Sequence, residues 1–250
     1  MYNITLITTT HTENGKCNSQ ELYKIIDSIK PDVIFEEMTT ENFDLVYNKN
    51  QIPQGALEVK SIKEYLKNHI IKHIPVDIPP NPDLSTNEIK TMFDEFKRYE
   101  VYKNFEIEQN KQINQLGFNY INSKKSSQLF KRIEKFEISL ISFGQYKNNI
   151  HKTYKRFHAE QNNRENAMLQ NIYSYAAESP FSSAIFFIGC AHRNSIIEKI
   201  RTFQLQKELN LNWTIYNPET NKPLTNILAY IITSIAKMRY LVSGVRSFFK

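Results

Sequence analysis

The first 37 residues constrain the fold more than any other part of the chain. Ile4 to Ile7 reads as a short apolar strand that opens into Thr8-Thr9-Thr10-His11-Thr12. A helix follows from Ser19 to Ile29, with Leu22, Ile25, Ile26 and Ile29 on one face. Pro31 stops it, and Asp32-Val33-Ile34-Phe35-Glu36-Glu37 returns at once as a second strand, apolar until it meets two carboxylates. So short a link implies parallel strands joined by a right-handed crossover, the seed of an α/β sheet. A further helix (Ile62 to His69) and strand (Ile74 to Ile78) continue the alternation, with Asp77 near the end of that third strand.

Pro79, Pro80 and Pro82 close this block. Ser85 and Glu88 then have the spacing of a capping box, and the pattern is helical to about Ala177. Ile89, Met92, Phe93, Phe96 and Tyr99 share a face, as do Phe130, Ile133, Phe136 and Leu140, with Gly117 and Gly144 as the expected breaks. Strand character returns at Ala184 to Ile188, which runs into Gly189-Cys190-Ala191-His192. A helix (Ser195 to Glu208), a strand (Trp213 to Tyr216) and a last helix (Thr225 to about Val242) complete the pattern. The expected architecture is one α/β domain over residues 1–250: a central, largely parallel sheet flanked by helices, with a helical insertion at about 82–178 over one end. Lys237, Arg239, Arg246 and Lys250 surround the apolar face of the last helix. That helix reads as a cover for the sheet, or else as a membrane-surface or homo-oligomer contact.

Composition removes several function classes. A chain of 250 residues buries roughly 70–75% of its unfolded surface and needs no disulfide or metal staple. Cys17 and Cys190 are the only cysteines, too few for a disulfide scaffold or a cysteine zinc site. The net charge is +6, with 32 basic against 26 acidic residues and no basic run longer than a pair, so nucleic acid is not an expected partner. No apolar run reaches the ~18–20 residues that span a bilayer. The opening Met-Tyr-Asn-Ile-Thr-Leu-Ile carries no basic leader, and a reducing cytoplasm is the expected location. The sequence contains no Gly-x-Ser-x-Gly elbow, phosphate loop or Gly-x-Gly-x-x-Gly turn.

What remains is a set of ionisable residues at strand ends, where open α/β sheets bind ligands. His11 follows the first strand, Glu36 and Glu37 end the second, and His192 follows the late strand. Asp77 is a fourth candidate. Two imidazoles and a carboxylate can hold a divalent metal with an open position for water, or serve as a metal-free acid–base set. Only one of Glu36 and Glu37 can easily face a cleft, because strand side chains alternate. Both faces of a parallel strand are buried, so the pattern does not say which, and Glu36 is taken first. Cys190 reads as a buried small residue rather than a nucleophile. His69, His73, His151 and His158 fall in helical or linking segments and carry no assigned role.

Four motifs in this order resemble the Tiki/TraB and erythromycin-esterase/ChaN-like superfamily. They are Thr8-Thr9-Thr10-His11, the strand-end Glu36-Glu37, Arg164-Glu165-Asn166-Ala167-Met168 within a helix, and Gly189-Cys190-Ala191-His192. The resemblance covers residues 1–80 and 155–218. Two departures stand out: Thr8 replaces the glycine of the first Gly-x-x-His, and Glu165 follows the arginine, either as a third carboxylate of the site or as a helix-face residue. The resemblance implies a hydrolase acting on a small-molecule or peptide substrate. Water would be activated by His11, Glu36 and His192, either as a metal-free set or as ligands of one divalent ion of the Mn, Co or Zn class. Arg164 would meet substrate charge or a developing oxyanion, unless it is spent in an ion pair with Glu36 or Glu37, and Asp77 is a second substrate-binding candidate. Both histidines would be neutral, and function would be lost as the pH falls through about 6–7. The ChaN-like relatives, associated with haem, imply the other class: a ligand-binding or conflict-system protein using the same pocket without turnover.

Overall fold

The computed structural model describes residues 2–142 and 148–217. Gly144 and the last helix, with its suggested oligomer contact, lie outside them. Among the described residues five strands form one sheet: β1 (Tyr2–Thr9), β2 (Val33–Glu36), β3 (Lys72–Pro75), β4 (Ser183–Gly189) and β5 (Leu211–Ile215). Their order is β3-β2-β4-β1-β5, and every neighbouring pair is parallel. The expected α/β class with a parallel sheet is therefore what the chain adopts. β4 lies between β1 and β2, so the first two strands are not neighbours. Thr9 pairs with Gly189 and Glu36 with Phe187, which brings the carboxyl ends of β1, β4 and β2 side by side. The chain works outward from β1 to β2 and β3, then returns to place β5 on the far side of β1. Such a reversal leaves a crevice at the carboxyl edge.

Local signals account for the helices that frame this edge. α1 (Ser19–Ile29) starts at Asn18, whose side chain accepts the Glu21 N–H, and ends at Lys30 in the left-handed region, just before Pro31. It buries Leu22, Ile25 and Ile26. After β2 come a short helix, α2 (Thr40–Phe43), and a π-turn at Asp44–Asn48. α3 (Leu57–Leu66) begins at Leu57 rather than Ile62, because Leu57, Glu58, Val59 and Ser61 are buried along with Ile62 and Tyr65. β3 ends at Pro75, earlier than the expected Ile78, because its partner β2 ends at Glu36, opposite Pro75.

The helical stretch contains α4 (Thr86–Phe96), α5 (Glu100–Leu116), α6 (Phe118–Ile121), α7 (Lys124–Ser142) and α8 (Asn148–Glu178). The Ser85–Glu88 capping box opens α4. Gly117 separates α5 from α6 at φ +55°, and a Cβ there would lie 2.4 Å from the Lys16 carbonyl oxygen. The stretch does not sit over one end of the sheet as expected. Met168, Leu169, Ile172 and Ala176 of α8, with α9 (Arg193–Gln206), cover the face carrying Ile4, Leu6, Phe35, Phe186 and Trp213. Ile113, Phe118, Ile121 and Leu129 of α5–α7 join α1 and α3 over the other face, on Ile7, Ile34, Ile185 and Phe187. A parallel sheet must be covered on both sides, and this stretch helps to cover both. Met92, Phe96, Tyr102 and Tyr154 form a smaller core within it. Among the described residues no helix is long and apolar enough to cross a membrane.

Candidate active site

β1 delivers His11 and β4 delivers His192 to the same edge. His11 has φ +59°, and its carbonyl accepts the Leu57 N–H at 3.0 Å, which ties the turn to the start of α3. Its Nδ1 lies 2.8 Å from Glu58 Oε1, the oxygen that also accepts the Thr9 hydroxyl. His192 closes a single 3-10 turn, Cys190–His192, and its Nδ1 lies 2.6 Å from Glu165 Oε1. Glu165 is itself fixed by the Ser195 hydroxyl at 2.5 Å and the Lys199 ammonium at 2.9 Å. Both imidazoles turn Nε2 toward one carboxylate, Glu37: His11 at 3.6 Å and His192 at 3.4 Å. The His11 side chain is 52% exposed and that of His192 11%, so His11 is the one open to solvent. Gly189 makes this approach possible, since a Cβ there would lie 2.6 Å from His11 Nε2.

The carboxylate between the histidines is Glu37, not the expected Glu36. Glu36 accepts hydrogen bonds from Tyr47 at 3.0 Å and His73 Nε2 at 2.8 Å. Its side chain follows Ile34 by strand alternation, and β3 in register supplies the histidine. Glu37 has already left the strand. It accepts the Gly189 N–H at 2.7 Å and an Arg164 Nη2 proton at 2.9 Å. The expected triad of His11, Glu36 and His192 is thus not one cluster.

Arg164 reaches this edge from α8, but its donors are largely taken. Nε lies 3.2 Å from both oxygens of Asp77, Nη2 binds Asp77 and Glu37, and Nη1 lies 3.3 Å from Gln161 Oε1. The ion-pair alternative therefore describes Arg164, with Asp77 as a second partner. Asp77, whose Oδ1 also accepts the Ile78 N–H at 2.8 Å, positions Arg164 at the wall of the cleft.

These contacts set the charges. Burial by itself would lower the pKa of His192, yet hydrogen bonds and charge from Glu165 and Glu37 raise it to about 9. His192 is therefore protonated at neutral pH, which corrects the expectation that both histidines are neutral. His11 is also raised: burial works against this, but the hydrogen bond and charge of Glu58 and the charge of Glu37 outweigh it. Glu37 is held at about 2, because the hydrogen bond and charge of His192, the charge of His11 and the Gly189 N–H overcome its burial. Burial pushes the Cys190 thiol up to about 12, so it is no nucleophile.

Glu58 is the site residue that sequence reasoning missed. The signal was present: a lone carboxylate in Ala56-Leu57-Glu58-Val59, four residues before Ile62 and so on the apolar face of its helix. Glu165 belongs to the site through His192. Thr8 does not crowd the histidines; its hydroxyl lies by Asn122 and Ile121.

A cleft of about 470 Å³ is lined by His11, Glu37, Asp77 and Arg164 together with the apolar Met38, Leu45, Val46 and Pro53. A second cavity of about 240 Å³ shares His11 and Glu37 and adds Glu36, Glu58 and Phe187. Each oxygen of Glu37 accepts one protein N–H group, and among the described residues no group of three or more His, Cys, Asp or Glu side chains is placed to hold a metal. No protein-family model matches the chain, and no curated protein or solved structure matches it.

Proposed function

We propose that the protein is a hydrolase that activates water with a glutamate-held histidine, without a metal step. One observation carries this reading: two imidazoles, each held through Nδ1 by a buried glutamate, turn Nε2 toward a shared ionised carboxylate at the mouth of a cleft. The order of motifs that resembles the Tiki/TraB and erythromycin-esterase-like superfamily supports it.

Glu58 accepts the Nδ1–H of His11 and leaves Nε2 as the proton acceptor, the orienting logic of a carboxylate–histidine pair. Glu37, kept ionised, orients the attacking water beside His11 Nε2. His11 takes the water proton as the hydroxide adds to the substrate carbonyl. His192, charged and donating from Nε2, stabilises the developing negative charge and protonates the leaving group. Arg164, locked by Asp77, keeps Glu37 in place and adds positive charge at the cleft wall. The apolar residues of the cleft suit a small-molecule or peptide substrate with an uncharged arm.

The test is a panel of esters, amides and phosphodiesters assayed with the full chain, His11→Ala and His192→Ala, in chelator and with added Mn²⁺, Co²⁺ or Zn²⁺. Turnover that survives chelation and is lost in both variants is the expected result. Turnover indifferent to His11, or no turnover on any substrate, overturns the hydrolase reading. Turnover that requires added metal replaces the acid–base mechanism. A Soret band on adding haem, with no hydrolysis, points to the ligand-binding class instead.

A further inference from the structure

Asn122, just after α6, touches both turns that carry the histidines. Its Oδ1 accepts the Thr8 N–H at 2.9 Å, and its Nδ2 donates to the Thr8 carbonyl at 3.1 Å. The Thr8 hydroxyl lies 3.0 Å from Asn122 Oδ1 and 3.1 Å from the Ile121 carbonyl. The Asn122 carbonyl in turn accepts from Arg193 Nη2 at 2.9 Å. Arg193 Nη1 reaches the Ser127 hydroxyl, and Asn194 donates to the Ser127 carbonyl at 3.0 Å. Thr8 stands three residues before His11, and Arg193 directly follows His192. Thr8, Asn122 and Arg193 are 1%, 3% and 8% exposed, so water does not compete for these contacts.

Arg193 is hard to explain by stability alone. Among the described residues its buried guanidinium meets no carboxylate and its Nε no acceptor, and burial lowers its pKa to about 10. It also stands at the first residue of α9, the end of a helix that disfavours a cation. An apolar residue of similar volume in such a place is often neutral or stabilising. What the guanidinium does provide is a grip on two elements, α6 and α7, from the residue next to His192.

We propose that Thr8, Asn122 and Arg193 are positioning residues: they tie the helical stretch to the ends of β1 and β4, and this tie holds His11 and His192 against Glu37. The site is thereby assembled by the α6–α7 corner and not by the sheet alone. Thr8, where the resembling superfamily has glycine, supplies the hydroxyl and the fixed strand end that this corner grips. The inference rests on the two-histidine site described above, but on no assumption about its substrate.

The test follows histidine titration by NMR of the full chain, which needs no turnover. The variants are Arg193→Met, Thr8→Val and Thr8→Ser. In Arg193→Met the melting temperature should hold or rise, while the His192 midpoint falls from about 9 toward 6.5 and that of His11 also falls. Thr8→Val should shift both site histidines the same way, and Thr8→Ser, which keeps the hydroxyl, should restore them. A folded variant whose His11 and His192 midpoints are unchanged overturns the proposal, and so does a loss of melting temperature with both midpoints kept. If Arg193→Met does not fold, the Thr8 pair decides. Failure to find any hydrolysis would sink the hydrolase reading and leave this result standing.

Discussion

Two glutamate–histidine clusters meet at the end of β2, built from adjacent residues and similar side chains but differing in access. On one side Glu36 binds His73 and Tyr47, and the ring of Phe43 packs edge-on against His73. The His73 and Glu36 side chains are 6% and 5% exposed. On the other side Glu37 faces His11 and His192, and His11 opens onto the cleft. In the first cluster the ring of His73 is enclosed, with Nε2 on Glu36 and its faces against Phe43 and Tyr47. In the second each histidine spends Nδ1 on a glutamate and keeps Nε2 for the shared site. Residue type therefore does not separate a structural pair from a chemical one. What separates them is whether the imidazole reaches the cleft: His11 lines it and is half exposed, whereas His73 is enclosed.

The largest effect should come from His11→Ala. Losing the base should cut turnover by roughly 10²–10⁴-fold, while denaturant unfolding falls by only about 1 kcal/mol for the lost hydrogen bond. His73→Ala should show the reverse pattern. It strands the buried Glu36 carboxylate and should cost roughly 3–5 kcal/mol in the same unfolding experiment. If His73→Ala folds with normal stability, or His11→Ala unfolds the chain, the contrast between the clusters is lost.

Gly189→Ala sharpens the open side. The new Cβ would meet His11 Nε2 at 2.6 Å, and the ring, at the far end of a partly exposed side chain, has room to swing away. The expected result is a folded protein with kcat lowered by roughly 10–100-fold, because a displaced base is a poor one. An alanine variant with wild-type kcat would mean that Nε2 of His11 takes no part.

The pH dependence of kcat should come from the open cluster. Turnover should rise as His11 loses its proton, at a midpoint above the ordinary imidazole value of 6.5. It should fall again as His192 deprotonates at about 9. The stability that His192 lends has the matching sign. Its folded pKa exceeds 6.5, so the contribution is full below that pH and is lost as the pH rises through about 9. Glu37 works oppositely: held at about 2 against an ordinary 4.5, it stabilises above 4.5 and loses that effect as the pH falls toward 2. A rate that declines steadily from pH 7 to 9 would contradict a protonated His192.

The smallest effect should be Tyr47→Phe, which removes one hydrogen bond to Glu36 from the closed cluster. About 1 kcal/mol of stability should go, with kcat unchanged. A change in kcat would show that the two clusters act together through their shared cavity.

Much of the fold was legible in the chain. The bounds of α1 follow from its apolar period, the Asn18 cap and Pro31, and the capping box at Ser85 marks the start of α4. The strand cores of β1, β2 and β4 are apolar runs that stop at polar residues, so their chemical ends were visible as His11, Glu36-Glu37 and Gly189 to His192. Arg164 and Glu165 were visible too, though not the Asp77 and Glu37 contacts that occupy the arginine. Glu58 is hidden because the apolar period that marks α3 is clearest from Ile62 onward, whereas the helix begins at Leu57.

Sequence by itself determined which residues have ionisable groups at strand ends and that the strands run parallel, because capping, helical period and short links act between near neighbours in the chain. Tertiary structure alone decided that Glu37 rather than Glu36 meets the histidines. Both faces of β2 are buried, so alternation gives no preferred side, and the choice falls to the strands that pair with it: β4 brings Gly189 to Glu37, and β3 brings His73 to Glu36. It alone decided the charge of His192 as well, since Glu165 lies 27 residues and Glu37 155 residues away in the chain, and only folding puts both within reach of one ring.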